Sequence, residues 1–202
     1  MKTKTEAKRL AILKAAAEVF QQVGFERASM SEIREKVGGS KATLYNYFPS
    51  KESLFFEVMY QAKEVELLAL IGSLSDDAVD LRSALLAFGC ELLRVLYTPD
   101  AIAIRRLAIA ESGQSGIGKM CFERATAPTE KHVADFLKRA MKRGELRTTD
   151  PRYAAVHLLA LLDAEHLQRV LFGVTAAPKA DAINASARRA VDAFLHGYEK
   201  RA

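Results

Sequence analysis

The stretch from Ser29 to Lys51, SMSEIREKVGGSKATLYNYFPSK, constrains the fold more than any other part of the chain. Ser29 with Glu32 three positions on is the pattern of a capping box, and it opens a short helix that carries Ile33 and Val37. Gly38-Gly39 stops that helix almost at once. Ser40 caps a second one, Lys41 to Phe48, before Pro49 interrupts it. Two short helices joined by a tight glycine turn, at about residues 29–48, have the geometry of a helix-turn-helix, whose second helix enters the major groove of DNA. Leu44 and Phe48 lie four apart and anchor the second helix to a core. Lys41, Ala42, Thr43, Tyr45, Asn46 and Tyr47 are left to face outward. Aromatic rings are costly as plain surface, whereas phenol hydroxyls reach phosphates well.

Charge placement points the same way. Residues 1–51 hold ten Lys/Arg against five Asp/Glu, while the remaining 151 residues hold twenty of each sign. The whole net charge of +5 therefore sits in the first quarter of the chain. A nucleic-acid-binding head on a neutral body has this asymmetry. An anionic membrane surface would also attract it, and so would nothing more than water.

The rest of the chain reads as helix throughout, without strand-like alternation or internal repeats. The first helix spans Thr5 to Val23, with Ile12, Ala16, Val19, Phe20 and Val23 on one face and Gly24 as a left-handed cap. Ser50 caps a long fourth helix beginning at Lys51, which must buttress three helices too small to stand alone. Further helices are expected at Leu81–Tyr97, Asp100–Glu111, Lys119–Arg143, Pro151–Phe172 and Ala180–Glu199. Pro128 kinks or divides the third of these five, and Gly113 to Gly118 forms a flexible connection. The expectation is an all-α chain of about nine helices, with an N-terminal domain at residues 6–66 and a larger one at 67–202. No run approaches the roughly 18 apolar residues of a membrane-spanning helix, and MKTKTEAKRL lacks the apolar block of a signal peptide, so a cytoplasmic, nucleoid-associated chain is expected.

The segment GGSKATLYNYFPSKESLF resembles the N-terminal domain of TetR-type transcriptional regulators, whose pattern is approximately IAxxAGVSxxTLYxxFxxKxxL. The likeness extends upstream through Ile12 to Gly24. Leu44-Tyr45, Phe48 and Lys51 stand in register with the glycine turn. The resemblance implies that Thr43, Tyr45, Tyr47 and Lys51 contact phosphates. It implies that Lys41, Ala42, Asn46 and Ser31 approach base edges or nearby backbone, with Ser29 and Ser40 at the two helix starts completing the interface. Arg34 and Val37 depart from the family's small residues, and Gly39 from its common valine.

The C-terminal half, through AIAIRRLAIAESG and FLKRAMKRGELRTTDPRYAAVHLLALLDAEHLQRVLFG, resembles the AefR-like subgroup. Such domains bind a small molecule among their middle helices and dimerise through their last two. Candidate ligand contacts are Phe88, Cys90, Tyr97, Phe122, Phe136 and Met141 as apolar lining, with Arg105, Glu111 and His132 as polar fixtures. As plain core and solvated charges these residues are equally at home. Val156, Leu158, Leu159, Leu161 and Leu162 make their helix apolar around much of its circumference, which calls for a core on one side and a partner on the other. Leu158, Leu162, Ala190 and Phe194 are the expected dimer contacts.

No catalytic or cofactor pattern occurs. Asp163 and His166, three apart, are a weak metal pair for which hydrogen bonding is the simpler use. Cys90 and Cys121 form no CxxC and read as small buried residues. The reading is a homodimeric repressor that binds a palindromic double-stranded operator and is released by a small apolar or amphipathic effector, with no cofactor, metal or membrane partner. An effector-independent DNA-binding regulator, or an all-helical carrier or enzyme for hydrophobic ligands, stands as the alternative.

Overall fold

The structure, a computed structural model, describes residues 2–72, 74, 80–113 and 116–200. It is all-α. The helices are α1 (Lys2–Arg27), α2 (Met30–Val37), α3 (Lys41–Tyr47), α4 (Lys51–Gly72), α5 (Leu81–Leu96), α6 (Pro99–Ala110), α7 (Ile117–Cys121), α8 (Ala127–Lys142), α9 (Pro151–Asp163), α10 (Leu167–Leu171) and α11 (Ala180–Tyr198). Among the described residues the only β pairing is an isolated bridge between Leu146 and Glu199.

Three helices differ from the sequence expectation. Gly24 does break α1, but at φ 78° and ψ 168° it takes a positive-φ conformation outside the left-handed helix, and a last turn continues to Arg27. The expected helix from Lys119 to Arg143 contains a π-helical stretch, Phe122–Thr126, between α7 and α8. Pro128 lies in the first turn of α8, where its missing N–H disturbs the ladder least. The expected helix Pro151–Phe172 divides after Asp163, where the His166 N–H closes a tighter turn on the Asp163 carbonyl at 3.2 Å.

The chain forms two compact units. One is Met1–Glu64 with Leu107–Met120, and the other is Val65–Arg106 with Cys121–Ala202. In the first, Ile12, Ala16, Val19 and Phe20 of α1 are buried, as are Ile33, Leu44 and Phe48. The opening turns of α4 supply Leu54, Phe55, Phe56 and Val58 to the same core. Phe55 packs edge-on against Phe20 at 5.1 Å between centroids and lies 4.8 Å from Phe25. A seven-residue α3 has no stability of its own, so the burial of Leu44 and Phe48, about 1.5–3 kcal/mol each, holds it in place. In the second unit α9 packs on both α8 and α11, and α11 also packs on α5. The core there is built from Leu85, Phe88, Phe136, Leu137, Leu158, Leu162 and Phe194, all buried.

Candidate nucleic-acid interface

The motif is assembled from local bonds. Ser29 Oγ accepts from the Glu32 N–H at 3.2 Å, and the Glu32 carboxylate accepts from the Ser29 N–H at 2.8 Å. Gly38 caps α2, donating its N–H to the Arg34 carbonyl at 2.9 Å. Gly38 and Gly39 have φ of 70° and 111°, a region that excludes most side chains and explains the Gly-Gly pair. Ser40 Oγ then accepts from the Thr43 N–H at 3.1 Å and lies 2.9 Å from the Thr43 hydroxyl. With Leu44 and Phe48 inward, Lys41, Ala42, Tyr45 and Asn46 are exposed, and Thr43 and Tyr47 are half-buried. The Lys41 ammonium lies 5.6 Å from the Tyr45 ring centroid, a cation–π contact within the exposed face.

Several basic residues of this region are engaged by partners within the domain. Arg9 pairs with Glu57 at 2.5 Å and lies over the Phe48 ring. Lys36 pairs with Glu18 at 2.8 Å and holds that carboxyl below the usual carboxylate range. Lys8 donates to the Gly38 carbonyl at 3.0 Å. Lys51 donates to the carbonyls of Phe25 at 2.9 Å and Glu26 at 3.3 Å, with its ammonium 4.3 Å from the Phe25 centroid. Lys51, expected at a phosphate, therefore fastens the start of α4 to the turn after Gly24. The bonds of Lys8 and Lys51 go to neutral carbonyls, so their positive charge persists in the domain's field. Ser29 and Ser40 spend their hydroxyls on caps, and Ser31 reaches Glu35 at 3.3 Å. Arg34 is half-buried, with its guanidinium 3.4 Å from the Glu35 carboxylate.

The expected ligand residues of the second unit have different surroundings. Phe88, Tyr97, Phe136 and Met141 are packed in the core, and Cys90 is half-buried against it. Phe122 is 52% exposed, and His132 is exposed with Nδ1 2.8 Å from the Pro128 carbonyl. Glu111 belongs to the first unit. Tyr97 and Arg105 do meet, on Asp163: the Tyr97 hydroxyl and the Arg105 guanidinium both donate to its carboxylate. Burial and the Asp163 contact push the Tyr97 phenol above its ordinary pKa. His166 Nε2 lies 3.0 Å from the buried Ser186 hydroxyl, and its ring packs edge-on to Tyr97. Asp163 already carries a cation in Arg105, and no group of three metal-ligating side chains occurs among the described residues. Arg105 Nη1 is buried without a hydrogen-bond partner among the described residues.

The expected dimer contacts need correction. Leu158, Leu162, Ala190 and Phe194 are all buried within a single chain, so none offers surface to a partner. The outward face of α9 instead carries Tyr153, 64% exposed, and Val156, 42% exposed, with Ala160 one turn on.

Residues 12–58 match the family described as bacterial regulatory proteins, tetR family. Residues 83–200, more than half of the chain, match the AefR-like transcriptional repressor C-terminal domain. The chain belongs to the TetR family. It is a DNA-binding transcriptional regulator, and the match at residues 12–58 spans the motif described above. A TetR-family regulator from Mesorhizobium loti superposes with a TM-score of 0.80 at 27% identity, covering 97% of this chain and 98% of that one. The flavonoid-responsive regulator FrrA superposes at 0.72 with 29% identity, covering 98% and 100%. The regulator RutR of Escherichia coli is 44% identical over 64 residues, which are 32% of this TetR-family chain and 30% of RutR. The match thus spans under a third of that relative's length.

Proposed function

We propose that the chain is a repressor that binds a palindromic operator as a homodimer and leaves it when a small apolar or amphipathic ligand occupies the C-terminal unit. The observation that carries this reading is the exposed face of α3, where Lys41, Ala42, Tyr45 and Asn46 stand outward over buried Leu44 and Phe48. Lys41, Ala42 and Asn46 read base edges, while Thr43, Tyr45 and Tyr47 position the helix on phosphates. One such helix reads one half-site, so a palindrome requires two chains. The exposed Tyr153 and Val156 on α9, with Ala182, Ala185 and Ala193 exposed on α11, support pairing through these two helices. No helix among the described residues is long and apolar enough to cross a membrane, which agrees with action on DNA in the cytoplasm.

For the effector, the similarity to FrrA along the whole chain supports an aromatic compound. Tyr97, Arg105 and Asp163 supply the few polar groups such a ligand needs, and Arg105 Nη1 is a buried donor without an acceptor among the described residues. A second reading, an effector-independent regulator, draws on the close packing of Phe88, Phe136 and Met141 in the core.

The test begins with a duplex selected by the protein from a randomised pool and a gel shift on it. Flavonoids and other aromatic compounds are then screened for a rise in melting temperature of the free protein. A compound that raises Tm must also weaken duplex binding, because a ligand with equal affinity for both states shifts nothing. Failure to select any duplex overturns the DNA reading. Selection without any responsive compound favours the effector-independent one.

A further inference from the structure

We infer that Lys8 is a positioning residue for DNA recognition: through its bond to the Gly38 carbonyl it sets the turn between α2 and α3, and with it the angle at which α3 is presented. The two glycines of the turn bring no side chain of their own to hold it. Gly38 and Gly39 lack side chains and both sit at positive φ, and a Cβ built on Gly38 would meet nothing within 4 Å. On Gly39 it would meet one atom within that distance, the Lys8 ammonium at 3.7 Å. Two consecutive glycines give the backbone its greatest freedom where a recognition helix needs the least.

The two ends of α3 are held differently. Its far end is fixed by Leu44 and Phe48 in the core. Its near end follows from the Ser40 cap and the Gly38-Gly39 turn. Lys8 brings to that turn a charged donor from α1, thirty residues away in sequence, at 3.0 Å. α1 is a firm base for this contact, since Ile12, Leu13 and Ala16 are buried within two turns of Lys8. A small cleft of about 10 Å³ has Lys8, Ile12, Gly38, Thr43 and Leu44 among its lining, so Lys8 and the turn border the same space. Tilting α3 moves every base-reading side chain at once, while scattered phosphate contacts adapt. Lys8 therefore acts on discrimination more than on general attraction to DNA.

The experiment compares wild type with Lys8→Ala, Lys8→Met and Lys8→Arg on two probes: the duplex that wild type selects from a randomised pool, and an unrelated duplex of equal length. Lys8→Met keeps the stem without the donor, and Lys8→Arg keeps a charged donor. We expect Lys8→Ala and Lys8→Met to bind the selected duplex about tenfold more weakly with the salt slope unchanged, and the unrelated duplex within about twofold. Lys8→Arg should recover most of the loss. Equal weakening on both probes with a slope reduced by about one makes Lys8 a phosphate contact and overturns the proposal. A lowered melting temperature with undiminished discrimination overturns it as well. The proposal presupposes the DNA reading, and a wild type that selects no duplex refutes that reading before any variant is compared.

Discussion

Leu162 on α9 lies so close to Gly89 on α5 that a Cβ added to Gly89 would stand 2.6 Å from Leu162 Cδ2. The two helices approach at this point because residue 89 has no side chain. Leu162 is fully buried, and Ala187 Cβ stands 3.7 Å from the same added atom, so the space around it is already filled. Gly89→Ala should therefore destabilise the fold by about 1–2 kcal/mol, overpacking outweighing the gain in helix propensity. Leu162→Ala should cost about 2–5 kcal/mol through the cavity it leaves. In the double variant the new methyl group enters the vacated space, so its loss should be smaller than the sum of the two. Urea unfolding of the four proteins measures this coupling, and strict additivity would contradict the packing described.

The proposed dimerisation should respond to the outward face of α9. Tyr153→Glu and Val156→Glu place charges on exposed apolar surface, so the variants should keep their helix content and lose self-association. Light scattering on the eluted protein reads the mass, and operator affinity should fall with it. Leu162→Asp should instead unfold the C-terminal unit, since it buries an unpaired carboxylate in the core.

Lys51→Ala removes a charged donor from two backbone carbonyls. It should lower unfolding stability by about 1.5–3 kcal/mol, the usual range for hydrogen bonds to charged groups. The salt slope of DNA binding should stay as in wild type. A slope lower by about one would return Lys51 to the phosphate contacts.

Lys41 is exposed and poised over Tyr45. Guanine O6 and N7 are the natural acceptors for its ammonium, so Lys41→Ala should relax preference at one base pair per half-site, at a cost of about 1–3 kcal/mol there. Repeating the duplex selection with the variant shows this directly. An unchanged selected sequence would assign Lys41 to the backbone.

Burial pushes the Cys121 thiol up to about 11 from an ordinary value of 9.0. At pH 8 the thiolate fraction in the native chain is then lower by about 100-fold than in the unfolded one, and alkylation by iodoacetamide should slow in proportion. Because the folded value is the higher one, this group's contribution to stability is undiminished below about pH 9 and declines as pH rises toward 11. Native and denatured rates that agree would place Cys121 in water.

Much of the helix-turn-helix was legible because its determinants are local. The Ser29–Glu32 box, the Gly38-Gly39 turn, the Ser40 cap and the inward pair Leu44 and Phe48 all act over three or four residues, and each stands where the pattern places it. The basic residues were less transparent. Lys8, Arg9, Lys36 and Lys51 count toward the charge asymmetry, yet their partners lie 18 to 48 positions away. Composition registers a charge and says nothing of its acceptor.

In the C-terminal half, helical periodicity by itself determined that α5, α8, α9 and α11 exist and are amphipathic or largely apolar. It did not determine which side of α9 turns inward. Val156, Leu158, Leu159, Leu161 and Leu162 leave its rotation about its own axis open, because an all-round apolar helix gains comparable burial in several orientations. Tertiary packing decided it. Gly89 on α5 gave Leu162 a place to enter, Ala154 and Ala155 allowed close approach, and Val156 was left at the surface. The same packing brought Tyr97 and Arg105 onto Asp163 and closed Phe88 and Phe136 into the core. Local sequence sets where a helix begins and ends through bonds within one turn, whereas the orientation of its faces depends on shapes supplied by distant segments.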